Sequence, residues 1–408
     1  MKKITSTLFL LYSFITFSQQ INSEKINWLK KNIHPIKNID NSKDQGLNWF
    51  YQTVKNINII GLGEVSHGSH ENFIIKNKIV QFLAKRDSSF NVYALESNMA
   101  KGSLINNFIH NNTNSSPKEV LQNVHGIYQS QEFIDLLNWM KDYNKIDFYG
   151  FDIQYFQQSI IEIKKELKDK TSLNLISEIN RILTSTFKKR LASKDFISLS
   201  KKDRGLFFKN IKLLKNKLEK LETSDKQKEW LNQNLKLLTQ FIDYKNRYTR
   251  DKAMAENILW IKKQHPKSKI LVSAHNLHLR KDKFTQGHFL NKQFKGNYIS
   301  IGFLLYEGSI AAKSTKYDNK KRKILLDKTP TNSYEHILNQ LNEPLFLIDL
   351  RTIKNENSNY SKWFLKKRKH REVGSTIYTN SFNKYNITKM FDIIIFIKHS
   401  TPSFFFHK

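Results

Sequence analysis

Residues 56–68 read Asn56-Ile-Asn-Ile-Ile-Gly61-Leu-Gly63-Glu64-Val-Ser-His67-Gly68. An aliphatic run closes on two glycines, and an acid and a histidine three apart follow at once. Such a run suits a buried strand, and the glycines suit a tight exit from it. Glu64 and His67 therefore stand just past a strand's carboxyl end, the edge of an open α/β sheet where ligands bind.

The pattern returns three times. Asn91-Val-Tyr-Ala-Leu95 ends in Glu96, Ile146-Asp-Phe-Tyr-Gly150 in Phe151 and Asp152, and Lys269-Ile-Leu-Val-Ser-Ala274 in His275-Asn-Leu-His278. Segments of helical spacing separate these runs, so the strands are expected to lie parallel. Two Glu, one Asp and three His then converge on one rim. The expected fold class is α/β: a mixed, largely parallel sheet sandwiched by helices, with a large helical insertion.

Around this frame, residues 21–55 read as a helical lead-in, with Ile26, Trp28, Leu29 and Ile33 near helical spacing. Glu71 to Lys85 is amphipathic, and 98–111 and 117–143 supply further helices. Between Asp152 and Lys269 the chain is rich in Lys, Leu, Glu and Ile, with Phe208, Ile211, Leu214, Leu218 and Leu221 at steps of three and four. This reads as a pair or trio of helices inserted over about 156–262. It is a coiled hairpin, a cap over the strand rim, or both. Strands are expected at Tyr298–Leu305, Pro344–Leu350 and Asp392–Ile397, with a basic loop near 313–323. Because strands flank the insertion, residues 19–408 read as one α/β domain.

The first residues, Met1-Lys2-Lys3, an apolar stretch from Ile4 to Phe17 and then Ser18-Gln19-Gln20, have the form of a secretory signal over 1–18. That stretch is short for a membrane span, and no later one is longer. The expected address is periplasmic or secreted. With no cysteine, disulfides, thiolate metal ligands and a cysteine nucleophile are excluded.

The net charge of +32 raises a nucleic-acid reading. The lysines are spread along the chain among abundant Asn and Ile, and no nucleic-acid module is present, so no specific nucleic-acid partner is expected. The densest cluster, Lys366 to Arg371, reads as a solvated loop or helix face.

Hydrolysing an ester needs a nucleophile, a group to take its proton, and donors for the oxyanion. No Gly-x-Ser-x-Gly elbow occurs; Ser66 reads as a turn residue, and Ser69 lacks that context. The rim offers histidines and carboxylates instead. His67 suits deprotonation of a water, since imidazole titrates near neutrality. Glu64 or Glu96 can hold its other nitrogen, and His275 and His278 can polarise a carbonyl or protonate a leaving alcohol. The same groups suit zinc or manganese, although His275-x-x-His278 lacks the His-Glu-x-x-His form. Activation of water without a cofactor is the preferred reading. A divalent-metal hydrolase and a non-catalytic binding protein are the alternatives.

Gly61-Leu-Gly-Glu64-Val-Ser-His67-Gly68 with Glu71, Ala94-Leu-Glu96, Gly150-Phe-Asp152, Arg250-Asp-Lys-Ala-Met-Ala-Glu-Asn257 and Ala274-His-Asn-Leu-His278, in this order, resemble the erythromycin esterase family. The resemblance implies hydrolysis of a small-molecule ester or macrolactone by an activated water. It implies His67 as the base, with Glu64, Glu96, His275 and His278 as its catalytic partners. Lys76, Glu71, Asp152 and Arg250 are expected to contact substrate. Lys76 stands where the family has an arginine, which keeps the charge and loses the bidentate fork. Bland roles are set beside these: Arg250 with Asp251 as a buried brace, His275 or His278 as a helix cap, His70 and His125 as surface or supporting residues, and Tyr128 and Tyr155 as core or pocket wall. Substrate identity and oligomeric state are not encoded in any readable pattern.

Overall fold

The computed structural model describes residues 22–122, 124, 126–192, 199–314, 321–377 and 381–406. The expected signal segment 1–18 and His125 lie outside these residues.

The described residues form twelve strands: β1 (Ile33–Pro35), β2 (Ile59–Leu62), β3 (Val92–Asn98), β4 (Asp147–Asp152), β5 (Ile270–Ser273), β6 (Tyr298–Ser314), β7 (Lys321–Leu325), β8 (Leu345–Asp349), β9 (Arg368–Arg371), β10 (Thr376–Ile377), β11 (Phe382–Tyr385) and β12 (Ile393–Ser400). The main sheet runs β1-β8-β12-β6-β2-β5-β3-β4, with β7 and β10 added to β6. From β12 to β4 every neighbouring pair is parallel, whereas β8 and β1 run antiparallel at the far edge. The sheet is therefore mixed and largely parallel.

Every residue of β2, β3 and β5 is buried, as expected of strands covered on both faces. Alternation divides them between two cores. Ile60, Tyr93, Leu95 and Leu271 pack with Phe73, Ile79 and Leu83 of the helix His70–Arg86. Ile59, Val92, Ala94, Ile270 and Val272 pack with Met254, Ile258 and Ile261 of the helix Arg247–Gln264. Each buried Val, Leu, Ile, Phe or Met among them contributes about 1.5–3 kcal/mol on full burial.

Register aligns the rim. Leu62 and Leu95 both pair with Ser273, and Leu95 pairs with Gly150. The residues that follow these positions thus leave the sheet at one level. Gly63 is required there by close approach: a Cβ would lie 2.2 Å from Asn276 Oδ1 and 2.7 Å from the Ile301 carbonyl oxygen.

Between β4 and β5 the described residues form five helices, Gln157–Glu166, Lys170–Ala192, Lys201–Glu219, Asp225–Asp243 and Arg247–Gln264, rather than a pair or trio. Their shared core includes Ile163, Leu183, Phe207, Leu214, Leu218, Leu238 and Phe241. Phe207, not Phe208, takes the fully buried place in the third of these helices. The lead-in also departs from expectation, because Ile33 leaves the helix Ser23–Lys31 and pairs with Ile348 as part of β1. The basic run 366–371 is solvated only in part: Lys366, Lys367 and Lys369 are exposed, but its end is not. It enters β9, where Arg371 is fully buried and donates to the carbonyls of Leu305, Tyr306 and Asp327 at 2.9–3.2 Å. Charge density in a sequence cannot reveal such backbone partners.

Candidate active site

A cleft of about 550 Å³ opens over the carboxyl ends of β2 to β5. His67, Glu96, Gln154, Arg247, Arg250, His275, His278 and the segment Glu372–Ser375 line it. Four rim segments, one helix of the insertion and a late loop therefore meet in one space.

The loop after β2 is held by its own side chains. Ser66 Oγ accepts from the Gly68 amide at 3.1 Å and donates to the Gly374 carbonyl. Ser69 caps the helix His70–Arg86. His67 Nδ1 hydrogen-bonds to Glu64 Oε1, and Glu64 Oε2 accepts from Lys76 Nζ. Lys76 Nζ also donates to Ser273 Oγ at 2.9 Å. Burial alone would raise the Glu64 carboxyl, but Lys76 and His67 outweigh it and bring it down to about 2. Lys76 is thus buried beneath the site against Glu64, and does not face the cleft as expected of a substrate contact.

A second ionic cluster lies across the cleft. Arg250 donates to both Asp152 oxygens at 3.0 and 2.8 Å and to Glu96 Oε1 at 2.9 Å. Glu96 Oε2 accepts from the His275 amide at 3.0 Å. His278 reaches Asp251 Oδ1 with Nδ1 at 2.7 Å and Glu96 Oε1 with Nε2 at 3.2 Å. Burial opposes charge on His278, yet Glu96 and Asp251 prevail and push it up to about 9. Burial likewise opposes charge on Glu96, but His278 and Arg250 hold it well below the usual range. Arg250 and Asp251 are therefore not a pair: each braces a different partner.

His275 plays another part. Its Nε2 lies 2.8 Å from the Val373 carbonyl and 3.0 Å from that of Val65, while Nδ1 accepts from the Leu277 amide at 3.2 Å. The ring is neutral, since burial and neighbouring His67 lower its pKa. It caps the short helix Asn276–Leu279 and ties the His67 loop to the segment carrying Val373. The His67 ring stands 5.3 Å from it, centroid to centroid.

Glu71 is not brought to the cleft. It accepts from the Thr401 amide and hydroxyl at 2.7 and 2.8 Å, anchoring the C-terminal segment. His70 pairs with Glu132 at 2.7 Å. Tyr128 is fully buried with its ring edge-on to His67, and Tyr155 is exposed.

A family model described as erythromycin esterase matches residues 86–400. The chain belongs to the erythromycin esterase family. The matched span takes in Glu96, Asp152, Arg250, His275 and His278, whereas Glu64, His67 and Lys76 precede it. "Putative hydrolase YbfO" of Bacillus subtilis (strain 168) is 23% identical, over 96% of this chain and 95% of that one. "Erythromycin esterase type II" of Escherichia coli is 24% identical over 70% and 77%. Among solved structures, a succinoglycan biosynthesis protein superposes with a TM-score of 0.77 at 22% identity, covering 94% of this chain and 98% of that one. An erythromycin esterase mutant, EreC, in its open conformation gives a TM-score of 0.67 at 16% identity, with 90% and 98% covered. These structures share the fold.

Within this family frame, the sequence left Gln154, Arg247, Asn276 and Glu372–Ser375 unmarked. Asn276 clamps the Phe303 backbone with both side-chain atoms, at 2.8 and 3.1 Å. Only its place inside the 274–278 motif could have drawn notice. Glu372–Ser375 is fixed by Arg280, which donates to Glu372 at 2.8 Å, and no local pattern announces it.

The His278 cluster has a consequence for stability. Free imidazole titrates near 6.5, so a folded value of about 9 means that the folded chain binds this proton more tightly. The stabilisation, about 3 kcal/mol, is complete below pH 6.5 and is lost as pH rises to about 9. Thermal unfolding of wild type should therefore weaken between pH 6.5 and 9 relative to His278→Gln. Parallel curves for the two proteins would show that the proton is not held there.

Proposed function

We propose that this protein is a carboxylic ester hydrolase that opens an ester or macrolactone with a water activated by His67. One observation carries the reading. Of the three cleft histidines, His67 alone presents a ring nitrogen, Nε2, with no partner among the described residues, while Glu64 holds its Nδ1. His275 and His278 have both nitrogens engaged.

The chemistry follows from that arrangement. Glu64 accepts the Nδ1–H and fixes the tautomer that leaves a lone pair on Nε2; this tautomer is assigned from the hydrogen bonds. Nε2 takes a proton from water as its oxygen attacks the carbonyl carbon, and the carbonyl electron pair moves to oxygen. Collapse of the tetrahedral species expels the alkoxide, which recovers the proton from His67. The cleft falls in the size range of small-molecule sites. A macrolactone is the substrate suggested by the family and by the Escherichia coli relative's name, and an exported location is part of the proposal, supported by the signal-like sequence of residues 1–18.

A reaction without a metal is part of this proposal, and chelation tests it. The described residues contain no group of three His, Asp or Glu arranged to hold an ion. On this proposal hydrolysis continues after exhaustive chelation; activity that falls on chelation and returns with zinc or manganese would reverse this.

The test is a panel of macrolides and simple esters incubated with wild type and His67→Ala, read by product mass. A gain of one water with wild type, absent with the variant, is expected. If wild type opens no ester or lactone, the proposal fails.

A further inference from the structure

The ester-hydrolase reading leaves one requirement unfilled, a donor for the developing oxyanion. The nearby cations are committed elsewhere, except Arg247, which lines the cleft but is exposed to solvent. Arg250 is committed to Glu96 and Asp152, His278 to Glu96 and Asp251, and Lys76 lies beneath the floor on Glu64. The Asn383 amide donates to Glu372 at 2.7 Å.

Gln154 differs. It follows β4 by two residues and lines the cleft. With the amide assigned so that its oxygen faces Arg250, that oxygen lies 2.7, 3.0 and 3.2 Å from Nη2, Nε and Nη1. Three such similar distances place the oxygen over the guanidinium face, where a negative partial charge is favoured and an amide nitrogen is repelled. The orientation of the amide is thereby set. Its nitrogen finds no partner among the described residues, and it is not among the buried polar atoms left unpaired. It therefore opens on the cleft. Arg250 also draws electron density toward the amide oxygen, which makes the N–H a stronger donor.

We propose that the Gln154 side-chain amide is the oxyanion donor of the hydrolytic site. The placement agrees with the sheet. His67 leaves β2 and Gln154 leaves β4, with β5 and β3 between them. Three strand spacings are about 14 Å. Both side chains line the same cleft from opposite ends of that span. As water attacks and its proton passes to His67, the carbonyl oxygen gains the electron pair and receives the Gln154 N–H. When the alkoxide leaves, the carbonyl re-forms and the contact weakens. Glu96 and Asp152 act through Arg250, as positioning residues.

This inference rests on the hydrolase reading, and the experiment separates the two. Kinetics of wild type, Gln154→Ala and Gln154→Glu are measured on an ester that wild type opens. Gln154→Glu is nearly isosteric and keeps its contact with Arg250, so folding is preserved; unchanged thermal unfolding checks this. A fall in kcat of about 10²–10³ in both variants, with KM within about threefold, is expected from the loss of one oxyanion donor. Affinity for a phosphonate mimic of the tetrahedral species should fall by a similar factor. Retention of kcat within threefold while His67→Ala is inactive overturns the Gln154 role and leaves the hydrolase reading standing. A rise in KM with kcat unchanged also overturns it, since that marks ground-state binding. A wild type that opens no ester removes both.

Discussion

Arg250→Met is expected to lower the free energy of unfolding by about 3–5 kcal/mol, the cost typical of removing one partner from a buried ionic cluster. The guanidinium lies between two buried carboxylates, Asp152 and Glu96, and donates to both. Burial disfavours charge on all three, but mutual attraction prevails: Arg250 is held more firmly protonated than usual, and Glu96 is kept ionised. Methionine fills similar volume and offers no donor, leaving Asp152 without its bidentate partner and Glu96 with His278 and one amide. Arg250→Lys should recover only part of the loss, because an ammonium cannot span both carboxylates. Urea unfolding at neutral pH measures the difference. The deficit should shrink on acidification, as Glu96 becomes protonated and no longer needs a cation. A loss below about 1 kcal/mol, or one independent of pH, would mean that solvent reaches the cluster and screens it.

The same cluster shows what a sequence can and cannot disclose. Parallel strands buried on both faces must be written as short aliphatic runs, and the residues that leave them are adjacent in the text. Glu64, Glu96, Asp152 and His275 could therefore be placed on one rim before any coordinates. The free nitrogen could not. His275 and His278 look like His67 in the chain, and what distinguishes them is the Val373 carbonyl, 98 residues from His275, and Asp251, 27 residues from His278. Lys76 was legible as a cation near the first motif, but its burial against Glu64 depends on how the helix His70–Arg86 packs under the rim. Arg371 is the sharper case. Its neighbours in sequence are basic and mark a solvated run, while backbone carbonyls of residues 305, 306 and 327 draw it inside. Gln154 carried no signal at all, since its significance arises from a guanidinium contributed by the helical insertion.

His67→Ala is expected to lower kcat on a hydrolysed ester by about 10²–10⁴, the usual contribution of a positioned general base, with KM changing only a few-fold. Glu64→Gln should cost less, because it leaves the imidazole in place. It removes the charge that fixes the Nδ1–H tautomer and leaves Lys76 buried beside a neutral amide, with Ser273 Oγ as its other partner. The two effects should not add. Glu64 is buried and reaches the cleft only through the His67 ring, so its contribution has no path once that ring is gone. The double variant should therefore show the kcat of His67→Ala alone, a coupling that a double-mutant cycle reads directly. If the two losses multiply instead, Glu64 acts on the reaction by a route other than His67. If His67→Ala retains kcat within threefold, the water is activated elsewhere on the rim.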